Sequence, residues 1–497
     1  MALTKATYSM IEGAPANVLD YGAVGDGTTD DGAKLQLFIN AIPANGKGVL
    51  PAGIYITGQE LTFPNNNVTL DLNGATIKAK NSAQFEYILK GTNRTGVVIR
   101  NGTLDANQAN RASGQTIRFM GGGFIDCDDC KFVGVTAQNV LGFGADPGVG
   151  LAIGGVSNRC NFELCSAINC GTLALPADGF FMSGNNCLGI GCTAQNCFDT
   201  GFVVESSNNS GYSGCTAKTC SAGAAITNAI ATDVRGNFLN AVTIIDWSSA
   251  VTGGVQIGVP TATAGNLIDS DVNVIVLAPT GGKGVGPAIN VRQLGAGRVQ
   301  GLRLTGLVNT ATTQGVLIDG DDVTVSMDIQ GTASNAVQVQ TGRTGARVVG
   351  SRIKAGTNGV ATVGTAVCEV SGCDISGQSG YNIYAFGTST VTATMNKLGS
   401  AGVGNVGKDG GATVYRVDTS NNTLVINGTQ VLGARVTGWT VATGTPQRGA
   451  FAAAAAGTAS GAYVQAELQG ALNRIAVLEA RLLATQTDLT AHGLIGA

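Results

Sequence analysis

The cysteines of this chain are spaced like the rungs of a ladder, and that spacing restricts the fold more than any other feature. Cys160, Cys165 and Cys170 reappear as Cys187, Cys192 and Cys197 at one constant offset, and the last two reappear as Cys215 and Cys220 at a second, slightly shorter one. Four segments align on this period: "CKFVGVTAQNV" from Cys130, "CNFELCSAINC" from Cys160, "CLGIGCTAQNC" from Cys187 and "SGYSGCTAKTC" from Ser210. The columns then read Val135, Cys165, Cys192, Cys215 and Val140, Cys170, Cys197, Cys220, with Val replacing Cys as one small buried group replaces another. Repeats of roughly 22 to 30 residues built of short β-rich pieces indicate a solenoid, each turn covering the apolar face of the one before. A spacing of five puts Cys165 and Cys170 on opposite faces of a straight strand, so both face inward only if the chain turns a corner between them. The column Asn139, Asn169, Asn196 falls at that corner, where stacked Asn side chains are expected to bond rung to rung until Thr219 ends the ladder.

The period persists downstream. Ile329, Ile353, Ile375 and Leu398 follow one another at nearly equal shifts, and "NAVQV", "NGVATV" and "YNIYA" supply a second strand per turn. Roughly fourteen turns between about residue 50 and 400, at ~4.8 Å each, predict a rod on the order of 65 Å long. Between about 224 and 298 the period is hard to follow, which points to longer loops or a break in the rod. The 75 glycines, 12% charged and 5% aromatic residues suit short strands and tight turns.

The net charge of −3 and pI near 5.3 exclude the basic face that nucleic-acid binding needs. The longest apolar run, "AFAAAAAG" at 450–457, is too short to cross a bilayer, and "MALTKATYSM" lacks the apolar segment of an export signal. "CDDC" at 127–130 invites a zinc reading, but no second Cys pair at ribbon spacing accompanies it and the one histidine, His492, lies in the C-terminal tail. Metal sites and cofactors are therefore expected to be absent, and the cysteines to be reduced, buried thiols.

Near the start, "NVLDYGAVGDGTTDDGAKLQLFINAI" is followed by "GKGVLPAGIYITG" and "VTLDLNGATIKA". This run resembles the opening of the pectate-lyase-like right-handed β-helix superfamily. With "ATYSMIEGAPANVLDYGAVGDG" close behind the first Met, it resembles bacteriophage tailspike and tail-fibre proteins in particular. The match is specific over residues 7 to about 80 and generic beyond. The resemblance implies that the N-terminal segment attaches to the virion and that a following helix caps the open end of the solenoid. Locally, Thr29, Asp30 and Asp31 offer an N-cap and first-turn acids, and Leu35, Phe38, Ile39 and Ile42 form an apolar stripe at helical spacing.

At the other end, an Ala/Gly linker precedes "YVQAELQGALNRIAVLEARLLATQTDL". Heptads place Leu468, Ile475, Leu482 and Leu489 at a and Ala471, Leu478 and Thr485 at d, a coiled-coil pattern in which Arg474 faces Glu479 of a neighbouring chain. An intramolecular helix folded back on the rod is the alternative. Resemblance to phage spikes implies a homotrimer. "VLGARVTGWTVATGTPQRGAF" from Val431 also resembles the tails of phage-encoded fibre proteins. The expected division is then a virion-attachment segment at 1–20, a capping helix at 21–50, an all-β right-handed parallel β-helix at 51–400, a small β region at 401–450, a linker at 451–462 and a coiled-coil trimerisation helix at 463–497.

The family does not decide the chemistry. Hydrolysis of a glycosidic bond needs two carboxylates roughly 5 to 9.5 Å apart, which neighbouring rungs offer. The strands "GLAI" from Gly150, "GFFM" from Gly179 and "GFVV" from Gly201 stack on the repeat, preceded by Asp146, Asp178 and Asp199. Asp178 and Asp199 are the candidate acid and base, with Asp146 orienting water or sugar; Phe143, Phe198 and Glu205 are candidate glycan contacts, and Glu163 a lesser acid. The competing reading is that Asp beside Gly is turn chemistry. The acid pair of "DDC" and the "RIK" at 352–354, which resemble polygalacturonase motifs, lie too many rungs apart to act together. Lyase chemistry would call on Arg94, Arg100 or Arg111, which no clustered acids accompany. The expected role is a virion spike or fibre, assembled in the host cytoplasm, joined to tail or capsid proteins by its N-terminus and contacting host surface glycan. A polysaccharide depolymerase and a non-catalytic structural spike are the alternatives.

Overall fold

The computed structural model describes residues 14–111, 116–144, 146–249, 251–261, 265–278, 286–294, 297–310, 314–354, 356–418, 423–426, 429–432, 468–473, 475 and 478. The chain winds into a right-handed parallel β-helix. Among the described residues one sheet holds 27 strands, two per turn along much of the rod, and the opposite sheet holds 14, one per turn, from Leu61–Thr62 to Gly404–Lys408.

The corners follow from residue types that tolerate positive φ. Asn139, Asn169, Asn196 and Thr219 sit at φ 56°, 54°, 55° and 52°, a region costly for most L-residues but accessible to Asn, whose short polar side chain bonds locally. Part of the expected ladder is present: Asn196 Nδ2 donates to Asn169 Oδ1 at 3.0 Å, and the Thr219 hydroxyl donates to Asn196 Oδ1 at 2.5 Å. Asn139 instead donates to Asp105 Oδ1 at 2.9 Å, so the ladder of amides runs from Asn169 to Thr219 and Asn139 is held by a carboxylate. Beyond each corner the chain points inward again. Cys170 pairs in register with Cys197, and all twelve cysteines are buried free thiols.

The core is a set of inward columns. Phe132, Phe162, Gly189 and Tyr212 lie in register. A Cβ on Gly189 would collide with the Tyr212 ring, so that glycine makes room for the next rung's aromatic. On the opposite sheet Gly122, Leu151, Phe180 and Phe202 form the facing column. Phe162, Phe180, Phe202 and Tyr212 meet with ring centroids 4.9–6.5 Å apart, within the range of favourable aromatic pairs.

The helix Gly32–Ala41 lies at the N-terminal end, with Leu35, Phe38, Ile39 and the following Ile42 buried in the core. The capping acids differ from expectation. Asp31 stands at the N-cap without a capping bond and accepts the backbone N–H groups of Val24 and Gly25, while Asp30 bonds the Gly32 N–H and Lys80. The first helical turn holds no acid, because these carboxylates fasten the preceding loop and the adjacent rung.

Between 224 and 298 the rod is continuous, which removes the alternative of a break. Ala224 pairs with Val255 and Val255 with Ile289, so each of these turns is longer than those of the cysteine region. The longer corners carry an extra parallel sheet of Val234–Arg235, Leu267–Ile268 and Val299–Gln300. At the far end parallel winding gives way to antiparallel pairing of Thr413–Asp418 with Thr423–Ile426 and of the latter with Thr429–Leu432. In the C-terminal segment, 468–473, 475 and 478 are helical, and Leu468, Ala471, Ile475 and Leu478 are exposed on the single chain. Leu482, Thr485 and Leu489, with Arg474 and Glu479, lie outside the described residues. Among the described residues no helix is long and apolar enough to cross a membrane.

Candidate functional site

Strands buried on one face alternate in and out. In Gly148–Gly154, Ala177–Met182 and Thr200–Glu205 the residues Ile153, Met182 and Val204 enter the core, while Ala152, Phe181 and Val203 stack in register on the outer face. A second outward column reads Tyr87, Met120, Val149, Asp178. Tyr87, Met120, Val149 and Ala152 form an apolar cluster separate from the core, with Ile125 and Phe181 packed against it. Asp178 thus continues a column that is otherwise apolar.

These outward residues floor a depression of about 240 Å³, whose lining includes Tyr87, Arg118, Met120, Val149, Asp178 and Phe181. The Arg118 Nε bonds Glu86 Oε1 at 2.9 Å, and the Lys90 ammonium lies 4.7 Å from the centre of the Tyr87 ring. A neighbouring depression of about 470 Å³ is lined by Glu86, Thr116, Ile117, Arg118, Phe143 and Asp146, so Arg118 borders both.

Asp178 is 4% exposed, and its Oδ1 accepts the Thr200 backbone N–H at 2.9 Å. Burial, reinforced by the charge of Asp199 and less by Glu205, raises its pKa well above the usual carboxylate range despite that hydrogen bond. The Asp199 N–H donates to the Ala177 carbonyl at 3.1 Å, which sets Asp199 one rung, about 4.8 Å, below the Ala177–Asp178 backbone. Burial raises Asp199 and Glu205 as well. Two desolvated carboxyl groups that repel one another's charge hold a proton at pH values where an exposed carboxylate has lost it, the condition for a general acid beside a base.

The other sequence candidates fall around this pair. Asp146 is exposed and tied to Phe143 by reciprocal backbone bonds of 2.9 Å in the neighbouring depression. Phe143 is 39% exposed and Phe198, beside Asp199, 47%. Glu163 lies apart, on the larger sheet, paired with Lys131 at 2.9 Å. Arg100 binds Asp71 at 2.7 Å, Arg94 bonds the carbonyls of Thr92 and Pro64, and the Arg111 guanidinium lies 3.7 Å from the centre of the Phe119 ring. Cys127 and Cys130 of "CDDC" are buried, and among the described residues no group of three or more His, Cys, Asp or Glu is arranged to hold a metal. Tyr87, Arg118 and Phe181 are the residues that sequence reasoning passed over.

No family model matches the chain. It is 44% identical over 70 residues to the tail needle protein of Salmonella phage P22, a stretch that is 14% of this chain and 30% of the needle protein. The chain therefore spans about 30% of the length of that relative. Among solved structures it is similar to a variant tailspike protein of E. coli bacteriophage HK620, with 14% identity, a TM-score of 0.48, and 82% of this chain and 83% of that one covered. It is also similar to the catalytic domain of a family 87 α-1,3-glucanase, with 13% identity, a TM-score of 0.46, and coverage of 80% and 68%. The structural likenesses concern the fold and transfer no residue roles.

Proposed function

We propose that the chain is a spike or fibre protein of a phage virion that contacts host surface polysaccharide along the outer face of its fourteen-strand sheet. The observation that carries this reading is the 44% identity to a tail needle protein over 70 residues, in a chain most of whose described residues form a β-helical rod. In this reading residues 1–20 join tail or capsid proteins, and three chains meet through the C-terminal helix, whose Leu468, Ile475 and Leu478 leave an apolar face in water on a single chain. Assembly takes place in the host cytoplasm. The outer depression and its neighbour lined by Phe143 are the glycan contact, with the exposed Phe198 next to Asp199 as a further contact.

A second reading, polysaccharide depolymerase, is favoured by one observation. Asp178 and Asp199 are adjacent, desolvated and electrostatically opposed. In this reading Asp178 protonates the glycosidic oxygen, Asp199 serves as base or nucleophile, and Asp146 orients water or sugar. The test is to incubate the purified full-length chain with surface polysaccharide of the host, measuring mass in solution, glycan binding, new reducing ends and ultraviolet absorbance of unsaturated sugars. A trimer that binds supports the spike. Reducing ends without absorbance support the hydrolase, and absorbance redirects the chemistry to elimination. A monomer silent toward every glycan overturns the proposal.

A further inference from the structure

The same outer sheet carries a second feature eight strands from Asp178, about 38 Å at ~4.8 Å per rung. In Tyr381–Ala385 the side chains of Ile383 and Ala385 enter the core, so Tyr384 between them faces outward. The Tyr381 and Tyr384 rings stack at 11° with centroids 5.2 Å apart. Small residues surround them. Tyr384 lies in register between Ala361 and Gly407, and Tyr381 stacks on Gly404. A Cβ on Gly407 would stand 2.7 Å from the Tyr381 ring, so that ring lies flat over the next rung.

On the other side the column continues from Tyr384 through Ala361 to Gln338. Ala361 is buried between them, so the half-exposed Tyr384 ring and Gln338 amide are the groups this column presents to solvent. The Gln338 Oε1 accepts from Asn335 Nδ2 at 2.8 Å and from Gln314 Nε2 at 3.4 Å, and the Asn335 Oδ1 accepts from Asn358 Nδ2 at 2.8 Å. This row holds the Gln338 amide by its oxygen, so its Nε2 is the atom that offers donors to a ligand.

We infer that Tyr381, Tyr384 and Gln338 form a second, non-catalytic subsite for a neutral sugar unit of the polysaccharide. The aromatic face takes the C–H face of a pyranose ring, and the amide takes a hydroxyl or acetamido group. The column Gln338, Ala361, Tyr384 carries no charge, and the charge of Asp409 acts on Tyr384, so the chemistry disfavours an acidic unit and suits a neutral one. The subsite rests on the glycan-contact reading, and because it shares a sheet with the depression only a polymer reaches both. A long chain held at two places gains avidity that a short oligosaccharide does not.

The experiment compares wild type, Tyr384→Ala, Tyr384→Phe and Gln338→Ala as full-length proteins, with circular dichroism and oligomeric mass as controls of folding. Each is titrated with intact host polysaccharide and with a short oligosaccharide prepared from it. Tyr384→Ala is expected to weaken binding of the polymer about tenfold and to leave any cleavage of the oligosaccharide unchanged, with Tyr384→Phe close to wild type. Gln338→Ala is expected to weaken polymer binding in the same direction. Wild-type binding of the polymer with no change in either truncation overturns the subsite alone. Failure of the wild type to bind either glycan overturns the glycan-contact reading and the subsite with it.

Discussion

Replacing Phe180 with Ala tests how the rod shares its stability and how closely the depression depends on the column beneath it. Phe180 is fully buried and meets Phe162, Phe202 and Tyr212 at 5.4, 5.2 and 6.5 Å. Truncating a buried Phe costs about 3–5 kcal/mol. The upper half of that range is expected, because the three surrounding rings are held by their own rungs and the cavity cannot collapse. In a globular domain of ordinary stability this loss would be felt throughout, but a solenoid is coupled mainly through nearest neighbours. Native-state hydrogen exchange should therefore show protection lost in the strands Gly148–Gly154, Ala177–Met182, Thr200–Glu205 and Ala222–Thr227. The strands Val360–Thr362 and Tyr381–Ala385 should keep theirs. Since Asp178 lies close to Phe180 on the same strand, binding or cleavage at the depression should fall together with local protection. Protection lost evenly from end to end, or a local loss below about 1 kcal/mol, would refute the reasoning.

Three further expectations follow from single residues. Asp178→Asn keeps an oxygen for the Thr200 N–H but removes a carboxyl whose pKa burial raises in the folded state. The unfolded wild type ionises first, near ~3.9, so wild-type stability falls as pH climbs from there through the raised folded value. In urea unfolding the variant should show a shallower decline above about pH 4, the share of Asp199 and Glu205 remaining, gain on wild type at about pH 8, and abolish any cleavage; lower stability than wild type at that pH would contradict this. Asn169→Ala loses the bond from Asn196 and leaves a Cβ at φ 54° without the short polar side chain that makes that conformation tolerable, for about 1–2 kcal/mol or slightly more in thermal or urea unfolding, whereas Asn169→Gly also sheds the Cβ and should cost less. Arg303→Ala removes the bidentate partner whose hydrogen bonds and charge hold the exposed Asp271 carboxyl below its usual value. Carbon-detected NMR should show that pKa rise, and the variant should lose the stability that wild type keeps at neutral pH and gives up as pH falls through the lowered value, a small effect because both groups stand in water.

Much of the winding is legible in the sequence where the same residue types recur on successive rungs. The Cys columns, the Asn corner and the stacked "GLAI", "GFFM" and "GFVV" strands repeat their residues even though the turn from Leu151 to Phe180 is longer than that from Phe180 to Phe202. Legibility fails from 224 to 298 because longer, unequal turns shift the columns out of phase while the strands remain in register. The helix stripe of Leu35, Phe38 and Ile39 is legible, but the task of Asp30 and Asp31 is not, since their partners in the preceding loop and on Gly58 and Lys80 appear only after winding. The site divides in the same way. Asp178 and Asp199 fall at strand starts that the repeat itself aligns, whereas Tyr87 reaches Met120 across a long turn that begins before any cysteine.

The division between inward and outward columns explains why the chemistry is sought on one face. Inward positions are constrained by the rungs above and below, and they accept whatever fills the volume: Val135 and Cys165, or Gly189 and Tyr212, are exchanges of this kind. Hydrogen bonding to the neighbouring cysteines of their stack, and then burial, push the thiols of Cys197 and Cys220 well above their ordinary range, which leaves them un-ionised and inert. An outward column has no such duty, and in Tyr87, Met120 and Val149 it has become apolar under the flanking loops. A carboxyl placed next in that column, facing a second carboxyl one rung on, is a local conflict that a valine would relieve. Conflicts of this type mark positions retained for what they do rather than for stability. The contrast is testable with one substitution: Asp178→Val should raise the unfolding free energy at about pH 8 above that of wild type while removing any cleavage. A less stable Asp178→Val protein would mean that the Thr200 N–H bond, and not the chemistry, is the reason for the carboxyl.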